Sequence, residues 1–165
     1  MEKAYFAGGC FWCITPTFRE MEGVMDVISG YSGGDELDPS YEDVKHQRTG
    51  HRETICIFYD PQQVSYESLL QVYLDSVDPF DEGGQFIDRG FSYTLAVYYN
   101  TPQEQETALR LLKNLEQWAG KKAFVAVEAY KNFYAAEEYH QNYDLKNPEE
   151  FQRELVQSGR VKAGE

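Results

Sequence analysis

The hydrophobic residues of the chain form short, uninterrupted runs that alternate with longer stretches of helical periodicity. Residues 54–59 and 94–99 are apolar on both alternating faces, which is typical of central strands covered on both sides of a sheet. Further strands are predicted at residues 3–7, 24–31 and 124–129. Because strands and helices alternate along the chain, the pattern predicts an α/β (α+β) domain with a mixed central sheet flanked by helices.

Several segments have the periodicity and the end signals of helices. In residues 65–77 the apolar side chains recur at spacings of three and four, which predicts a helix packed on the sheet. Thr101-Pro102-Gln103-Glu104 combines an N-cap, a proline for the first turn and a capping-box glutamate, so a second helix should begin here and end at Gly120. Two more helices are predicted, one at residues 134–143 and a short one after Asn147-Pro148.

The segment Gly8-Gly9-Cys10-Phe11-Trp12-Cys13 joins the first predicted strand to a predicted helix and holds two thiols three residues apart. The paired glycines before Cys10 indicate a tight, exposed turn rather than core packing. If a helix begins just after Cys10, its unpaired N–H groups and its dipole favour a thiolate there. Pro16 would then lie inside that helix, so the helix is either kinked or begins at Thr15; we favour the kinked helix.

Composition and charge narrow the class of protein. The chain has 165 residues, of which 42% are hydrophobic, and this is enough for one domain with its own core. The balance of 28 acidic residues against 15 Lys and Arg gives a net charge of -13, which would repel nucleic acid. No apolar run approaches the roughly 20 residues that span a bilayer, and the N-terminus lacks the layout of a signal peptide. We therefore expect a cytoplasmic protein with neither a membrane nor a nucleic acid as partner.

The chain has three cysteines, too few for a disulfide framework, and a CxxC pair in a reducing compartment indicates redox chemistry or metal binding. No second CxxC or Cys/His pair completes a zinc site, so no metal is expected. Cys56 lies between Ile55 and Ile57 in a predicted strand, where a free cysteine behaves as a small hydrophobic residue. The chemistry is therefore expected at Cys10 and Cys13.

Further segments of the chain match one known family in their residues, their order and their separations. These segments are Gly9-Cys10-Phe11-Trp12, Gly30-Tyr31-Ser32-Gly33-Gly34, Pro39-Ser40-Tyr41, Thr49-Gly50-His51-Arg52-Glu53, Tyr59-Asp60-Pro61, Asp78-Pro79, Asp88-Arg89-Gly90 with Tyr93, and Ala136-Glu137-Glu138-Tyr139-His140-Gln141. Through them the chain resembles, over nearly its whole length, the peptide methionine sulfoxide reductases of the A type, which act on the S-epimer of the sulfoxide.

The resemblance implies a fold and a set of partners. The fold would be a single domain over residues 1–165 with a ferredoxin-like split β-α-β core, and we expect the polar residues 158–165 to form a flexible tail. The substrate would be methionine sulfoxide, free or in peptides and proteins. The resemblance implies no bound cofactor, because an external reductant, thioredoxin or another dithiol, would supply the electrons. We expect the protein to be a monomer.

Carried over residue by residue, the resemblance also implies a division of roles. Cys10 would be the nucleophile that attacks the sulfoxide sulfur, and Glu53 would be the acid that protonates the departing oxygen. Tyr41 and Tyr93 would hold that oxygen, and Asp88 would belong to the same polar cluster. The chemistry requires an acid because oxide is a poor leaving group. Burial and a neighbouring carboxylate can keep a carboxyl protonated near neutral pH.

Two aromatic residues and the second thiol of the motif complete the implied site. Phe11 and Trp12 would cup the S-methyl group of the substrate. After oxygen transfer Cys10 would carry a sulfenic acid, and Cys13 is the natural thiol to resolve it as a disulfide. Many family members keep resolving cysteines near the C-terminus, whereas this chain has no cysteine after Cys56.

Two other classes of protein fit part of the pattern. A thioredoxin-like disulfide oxidoreductase would use Cys10 and Cys13 as an exchanging pair, but it predicts a cis-proline opposite the motif, and none of the six prolines is placed for that role. A non-catalytic module that captures methionine-containing segments would need neither Glu53 nor two thiols. His51 and His140 are interpreted as structural polar residues and are left out of the catalytic set.

Overall fold

The structure is a computed structural model and describes residues 1–160. The strands in this range are β1 (Glu2–Gly8), β2 (Val24–Ser32), β3 (Arg52–Tyr59), β4 (Gly84–Gln85), β5 (Asp88–Arg89), β6 (Leu95–Tyr99), β7 (Val125–Ala129) and β8 (Tyr134–Ala135). The helices are α1 (Phe11–Arg19), α2 (Tyr41–Lys45), α3 (Tyr66–Ser76), α4 (Pro102–Ala119), α5 (Tyr143–Lys146) and α6 (Pro148–Ser158).

Six of the strands form one mixed sheet in the order β7-β6-β1-β3-β2-β8. β1 pairs antiparallel with β3 on one side and with β6 on the other, and β2 also pairs antiparallel with β3. β1 and β2 therefore run in the same direction with β3 between them, and α1 connects them. This is the predicted split β-α-β core. β7 extends the sheet as a parallel neighbour of β6, and β4 and β5 form a separate two-stranded hairpin.

The main hydrophobic core lies between one face of the sheet and helices α1, α3 and α4. Its fully buried side chains include Phe6, Phe18, Ile55, Ile57 and Leu70. The opposite face carries a smaller cluster that is covered by Phe133 from the loop after β7. The central strands are thus covered on both sides, as predicted, but the long helices all lie on one side. The Tyr73 hydroxyl of α3 donates a hydrogen bond to the Ala7 carbonyl at 2.6 Å, which ties α3 to the end of β1.

The strands and the helices with clear end signals are confirmed. Thr101 caps α4 by accepting a hydrogen bond from the Glu104 N–H at 3.1 Å, and Gly120 ends this helix in the left-handed conformation with φ of 71°. The Glu104 side chain accepts from the N–H of Asn100, one residue before the partner expected for a capping box. The short helix after Asn147-Pro148 is confirmed as α6.

The helix predicted at residues 134–143 is wrong. This segment starts as the edge strand β8, and beyond that strand the Ala136 N–H donates to the Ser29 carbonyl of β2 at 2.8 Å. The Gln141 side chain forms hydrogen bonds with both the N–H and the carbonyl group of Ser29. The polar groups of this segment therefore pair with the edge of the sheet and do not form the internal hydrogen bonds of a helix.

The C-terminal tail also differs from the prediction where the structure describes it. α6 includes Ser158, whose side chain is buried, so the tail does not begin at residue 158. The part of the predicted tail at residues 161–165 lies outside the described residues.

Candidate active site

Cys10 lies at the junction of β1 and α1, where the chain leaves the sheet. Gly9 before it has φ of 82°, and a Cβ at this position would lie only 2.7 Å from the Cβ of Gln85, so the turn requires glycine. The helix begins directly after Cys10 and contains Pro16, so it does not begin at Thr15; the kink at Pro16 stays a prediction. Cys10 is therefore the N-cap residue of α1.

The two thiols of the CxxC motif lie in one turn, because the Cys13 N–H donates to the Cys10 carbonyl at 3.1 Å. The Cys10 thiol also donates to the Cys13 sulfur, which raises the pKa of Cys10 and lowers the pKa of Cys13. Burial and the negative charges of Glu53 and Asp88 raise the pKa of Cys10 further. Burial opposes the lowering of the Cys13 pKa, whereas the positive charge of Arg160 adds to it. The pair therefore takes its first negative charge on Cys13.

Glu53 on β3 is the buried acid of the site, with an exposed fraction of 1%. Its Oε1 accepts a hydrogen bond from the Phe11 N–H at 3.2 Å, which holds the carboxyl against the first turn of α1. Burial raises the pKa of Glu53 to about 8, and the charge of Asp88 raises it too, against the hydrogen bonds from Phe11 and Tyr93. The carboxyl consequently keeps its proton at neutral pH.

Three further polar side chains line the same cavity as Glu53. Asp88 lies on β5, and Tyr41 is the first residue of α2. Tyr93 is the last residue of a short 3-10 helix, Phe91–Tyr93, that follows β5. Burial raises the pKa of both tyrosines and of Asp88, so the two hydroxyls stay protonated and can donate hydrogen bonds. Neither α2 nor the β4-β5 hairpin, which carry Tyr41 and Asp88, was predicted from the hydrophobic pattern.

Trp12 belongs to an aromatic wall that includes residues from far along the chain. Its ring stacks on Tyr143 with centroids 3.9 Å apart, and its N–H donates to Nδ1 of the buried His140 at 3.1 Å. Burial lowers the pKa of His140 to about 4, so the imidazole is neutral and can accept this bond. The His140 ring also packs against Phe11, at a centroid distance of 5.2 Å. Sequence reasoning gave His140 no place at the site, although its segment carries the family resemblance.

The site is a cavity of about 330 Å³. The eight residues that the sequence places in the site all line it: Cys10, Phe11, Trp12, Cys13, Tyr41, Glu53, Asp88 and Tyr93. Five lining residues were missed: Lys45, Ile87, Glu154, Gln157 and Ser158. Three of these five come from α6, whose sequence shows only that it is a polar helix and not which surface it covers.

Two reactive residue types lie away from the cavity. Cys56 is buried beside Tyr5 on the opposite face of the sheet, and burial raises its pKa to about 11, so it stays a neutral thiol. His51 is fully buried in a loop contact, where Nδ1 accepts from the Gly34 N–H at 3.2 Å and Nε2 donates to the Glu36 carbonyl at 2.8 Å. Both residues therefore have the structural surroundings that the sequence predicts.

The candidate reactive groups of this site are thiols and carboxyls. All three cysteines are free. Within residues 1–160 no group of three or more His, Cys, Asp or Glu side chains is placed to hold a metal ion. No helix of this range has both the length and the apolar character needed to cross a membrane.

A buried thiol pair beside a protonated carboxyl defines a thiol-dependent oxidoreductase. The sequence model described as peptide methionine sulfoxide reductase matches residues 2–164. The chain belongs to the peptide methionine sulfoxide reductase family, and it is an oxidoreductase that reduces methionine sulfoxide.

Two curated relatives carry the name peptide methionine sulfoxide reductase MsrA. The protein from Picrophilus torridus is 45% identical over 151 residues, which cover 90% of this chain and 85% of the relative. The protein from Bacillus licheniformis is 44% identical over 161 residues, which cover 96% of this chain and 89% of the relative.

Solved structures share the fold. Reduced Mxr1 from Saccharomyces cerevisiae matches with a TM-score of 0.84 and 28% identity over 89% of this chain and 86% of that chain. Methionine sulfoxide reductase A of Corynebacterium diphtheriae matches with a TM-score of 0.80 and 28% identity over 89% and 75% of the two chains. Mxr1 in complex with Trx2 matches with a TM-score of 0.58 and 19% identity over 86% and 84%. The predicted fold class is thereby confirmed.

Proposed function

We propose that the chain reduces the S-epimer of methionine sulfoxide, free or in proteins, with Cys10 as the nucleophile and Glu53 as the acid. The observation that carries this proposal is a buried carboxyl, its pKa raised to about 8 by burial, in the same cavity as a thiol at a helix start. The S-epimer is proposed because two separate enzymes reduce the two epimers and the relatives carry the A-type name.

The cavity has a partner for each part of a methionine sulfoxide side chain. The Tyr41 and Tyr93 hydroxyls would donate hydrogen bonds to the polarised oxygen, next to the protonated Glu53. Phe11 and Trp12 offer an apolar surface for the S-methyl group. The electrophilic sulfur would then lie between these two groups and face Cys10.

In the first step Cys10 attacks the sulfoxide sulfur, and its proton passes to the Cys13 sulfur to which it already donates a hydrogen bond. Glu53 gives its proton to the oxygen as the sulfur–oxygen bond weakens. The oxygen then becomes bonded to Cys10 as a sulfenic acid, the transient bond between the Cys10 sulfur and the substrate sulfur breaks, and methionine leaves as a thioether. The sulfoxide sulfur is reduced by two electrons, and Cys10 is oxidised by two.

An assay on the two separate epimers of N-protected methionine sulfoxide, coupled to thioredoxin, tests this activity. We expect turnover of the S-epimer alone and none in Cys10→Ser. Turnover of the R-epimer alone, or of neither epimer, would contradict the proposal.

For regeneration we propose that Cys13 attacks the Cys10 sulfenic acid and that an external dithiol reduces the resulting disulfide. The two sulfurs lie in one helical turn and already share a hydrogen bond. Thioredoxin is the reductant that we propose; the yeast structural relative Mxr1 has been solved with Trx2. With electrons supplied in this way the enzyme would need no bound cofactor.

Cys13→Ser tests the regeneration step. Because Cys13 also takes up the Cys10 proton in the proposed first step, oxygen transfer is judged here by its yield and not by its rate. We expect one methionine per enzyme in the absence of reductant, and turnover with thioredoxin that is at least about tenfold slower than in the unchanged enzyme. Cys56→Ser is the matched control, because that thiol lies on the opposite face of the sheet and should leave turnover intact. Full turnover of Cys13→Ser with thioredoxin would show that Cys13 is not the resolving thiol.

We also propose that the enzyme acts as a monomer in the cytoplasm. A reducing compartment would keep its three free thiols available for catalysis. The net charge of -13 argues against nucleic acid as a partner. Light scattering at micromolar concentration would test the monomer, and a dimer mass would contradict it.

The alternative of a thioredoxin-like disulfide oxidoreductase is not favoured. Disulfide exchange uses neither a protonated carboxyl nor two tyrosine hydroxyls in a cavity, and the family and the relatives described above are methionine sulfoxide reductases.

A further inference from the structure

Arg160 follows the end of α6 and folds back onto the CxxC turn. Gly159 makes this reversal possible, with φ of 83°. The Arg160 guanidinium lies over the Phe86 ring at 4.5 Å, and its Nη2 lies 3.1 Å from the position of a Cβ built on Gly9. Its Nε and Nη2 are buried and have no hydrogen-bond partner within the described part of the chain. A buried cation without an acceptor is unfavourable unless a negative charge is nearby.

Cys13 supplies a nearby atom that can carry such a charge. Cys13 and Arg160 border the same cavity, which Glu53 and Asp88 do not line. The other charged or titratable groups that line the cavity beside Cys13 are Cys10, Tyr41, Lys45, Glu53, Asp88, Tyr93 and Glu154. Of the cations in the described structure, Arg160 has the largest effect on the pKa of Cys13.

We propose that Arg160 is a positioning residue for the resolving step, where its charge stabilises the Cys13 thiolate that attacks the Cys10 sulfenic acid. This inference rests on the proposed role of Cys13 in regeneration. It assigns a function to a residue beyond the last helix, in a region where the sequence predicts only a tail.

The step balances without any further reactant. The Cys13 thiolate forms a sulfur–sulfur bond with Cys10, and the sulfur–oxygen bond of the sulfenic acid breaks. The oxygen leaves as water after it takes up the proton that Cys13 had released. At this stage the Cys10 S–H that stabilised the Cys13 thiolate in the resting enzyme no longer exists. The charge of Arg160 is then the largest stabilising influence on the Cys13 thiolate.

Loss of this charge should change the rate in opposite directions at low and at high pH. If the pKa of Cys13 rises, the thiolate fraction at low pH falls, while each thiolate becomes more nucleophilic with a Brønsted slope of about 0.4–0.5. Because this slope is below one, the loss of thiolate outweighs the gain in nucleophilicity, and the resolving rate should fall by about twofold or more at low pH. At high pH, where Cys13 is fully ionised in both proteins, the same change should raise the rate. The two pH profiles should cross.

The experiment compares Arg160→Gln with Arg160→Lys and with Arg153→Gln in the full chain. Arg153 is an exposed arginine on α6 and serves as the matched control for loss of one positive charge. Each protein receives saturating methionine sulfoxide without reductant. The conversion of the Cys10 sulfenic acid into the Cys10–Cys13 disulfide is then followed by rapid quench and mass spectrometry across the pH range.

Crossed profiles in Arg160→Gln, restored by Arg160→Lys and absent from Arg153→Gln, would support the inference. Superimposed profiles of Arg160→Gln and the unchanged enzyme would overturn it. Crossed profiles that Arg160→Lys does not restore, or that Arg153→Gln shows equally, would overturn the specific charge role. If the unchanged enzyme forms no Cys10–Cys13 disulfide, the proposed regeneration route itself fails, and this outcome is distinct from a failure of Arg160 alone.

A second measurement does not depend on the resolving rate. In a Cys10→Ser background, the pH midpoint of Cys13 alkylation reports the ionisation of this thiol directly. We expect Arg160→Gln to move that midpoint upward and Arg160→Lys to leave it near the starting value. An unmoved midpoint in Arg160→Gln would overturn the inference.

Discussion

The two thiols of the active site lie three residues apart and line one cavity, but the interactions around them shift their pKa values in opposite directions. On the carboxyl side, Cys10 is buried against Glu53 and Asp88, whose negative charges raise its pKa. On the arginine side, Cys13 accepts the hydrogen bond from Cys10 and lies near Arg160, and both lower its pKa. The carboxyl side therefore favours protonated groups, and the arginine side favours an anion.

This difference matches the chemistry that we propose for each thiol. Oxygen transfer needs a proton donor, which a buried carboxyl can provide only where negative charge is disfavoured. Disulfide formation needs a thiolate, which is stable only near a positive charge or a hydrogen-bond donor. A short helical turn can place both requirements side by side, because Cys10 lines the cavity of Glu53, whereas Cys13 lines both this cavity and the one that Arg160 borders.

Glu53→Gln removes the proton donor from the carboxyl side and should have the largest effect. We expect methionine formation to slow by about 100-fold or more, since a positioned acid contributes roughly that much. The unchanged enzyme should lose activity as the pH rises through about 8, where Glu53 gives up its proton, and the Gln variant should lack this loss. Rates of methionine formation between about pH 6 and pH 10 would show both effects. A variant with the full rate at neutral pH would contradict the acid role.

At alkaline pH the Glu53→Gln fold should be more stable than the fold of the unchanged protein. A slower reaction in this variant would therefore not result from unfolding. The pKa of Glu53 is raised in the folded chain from 4.5 to about 8. As the pH rises between these values, the unfolded chain releases this proton and the folded chain keeps it, so the free energy of unfolding decreases. Glu53→Gln should show a smaller decrease in urea unfolding over this range. An equal decrease in both proteins would mean that Glu53 is not buried as described.

Asp88→Asn removes a negative charge that acts on both thiols and on Glu53, and it should have an intermediate effect on activity. The Asp88 charge raises the pKa of Glu53, Cys10 and Cys13, so its removal should lower all three. The whole pH profile of kcat/KM should then shift to lower pH, with activity about tenfold lower on the alkaline side. Asp81→Asn, which changes a carboxylate that Arg89 already pairs outside the cavity, is the matched control. A profile that changes in height but not in position would contradict this electrostatic role.

The fold was predictable wherever local signals suffice. β3 and β6 are apolar on both faces, and the ends of α4 are marked by residues that act within one turn. The β4-β5 hairpin has no such signal, because its two-residue strands are held by tertiary contacts such as the Gln85 side chain against the backbone of Asp78. Residues 134–143 have a pattern that suits a helix, and only the open edge of β2 decides against it.

The site could be predicted where its reactive residues lie close together in the sequence. Cys10 and Cys13 follow from one motif, but 13 tyrosines give no reason to select Tyr41 and Tyr93 without the family resemblance. The charge around Cys13 depends on where α6 packs, which a polar helix does not encode locally. For this reason Arg160 emerges only from the three-dimensional structure.

The aromatic wall around Trp12 carries no net charge, and substitutions in it should change activity least. His140→Phe keeps an aromatic ring but removes the acceptor for the Trp12 N–H. We expect KM to rise about twofold to tenfold with a smaller change in kcat, because one hydrogen bond contributes about 0.5–1.5 kcal/mol. His140→Asn, whose carbonyl oxygen can take the place of Nδ1, should recover most of the loss. An unchanged KM in His140→Phe would show that Trp12 is held by stacking alone.

Fluorescence of Trp12 gives this last comparison a structural readout. Trp118 is 85% exposed, so Trp118→Phe leaves Trp12 as the single emitting tryptophan without disturbing the core. The pKa of His140 is lowered to about 4 by burial, so the imidazole accepts the Trp12 bond above this pH and loses that ability below it. Emission should therefore change as the pH falls through about 4 when His140 is present and should not change there in His140→Phe. The same transition in both proteins would assign it to another group and would leave Trp12 independent of His140.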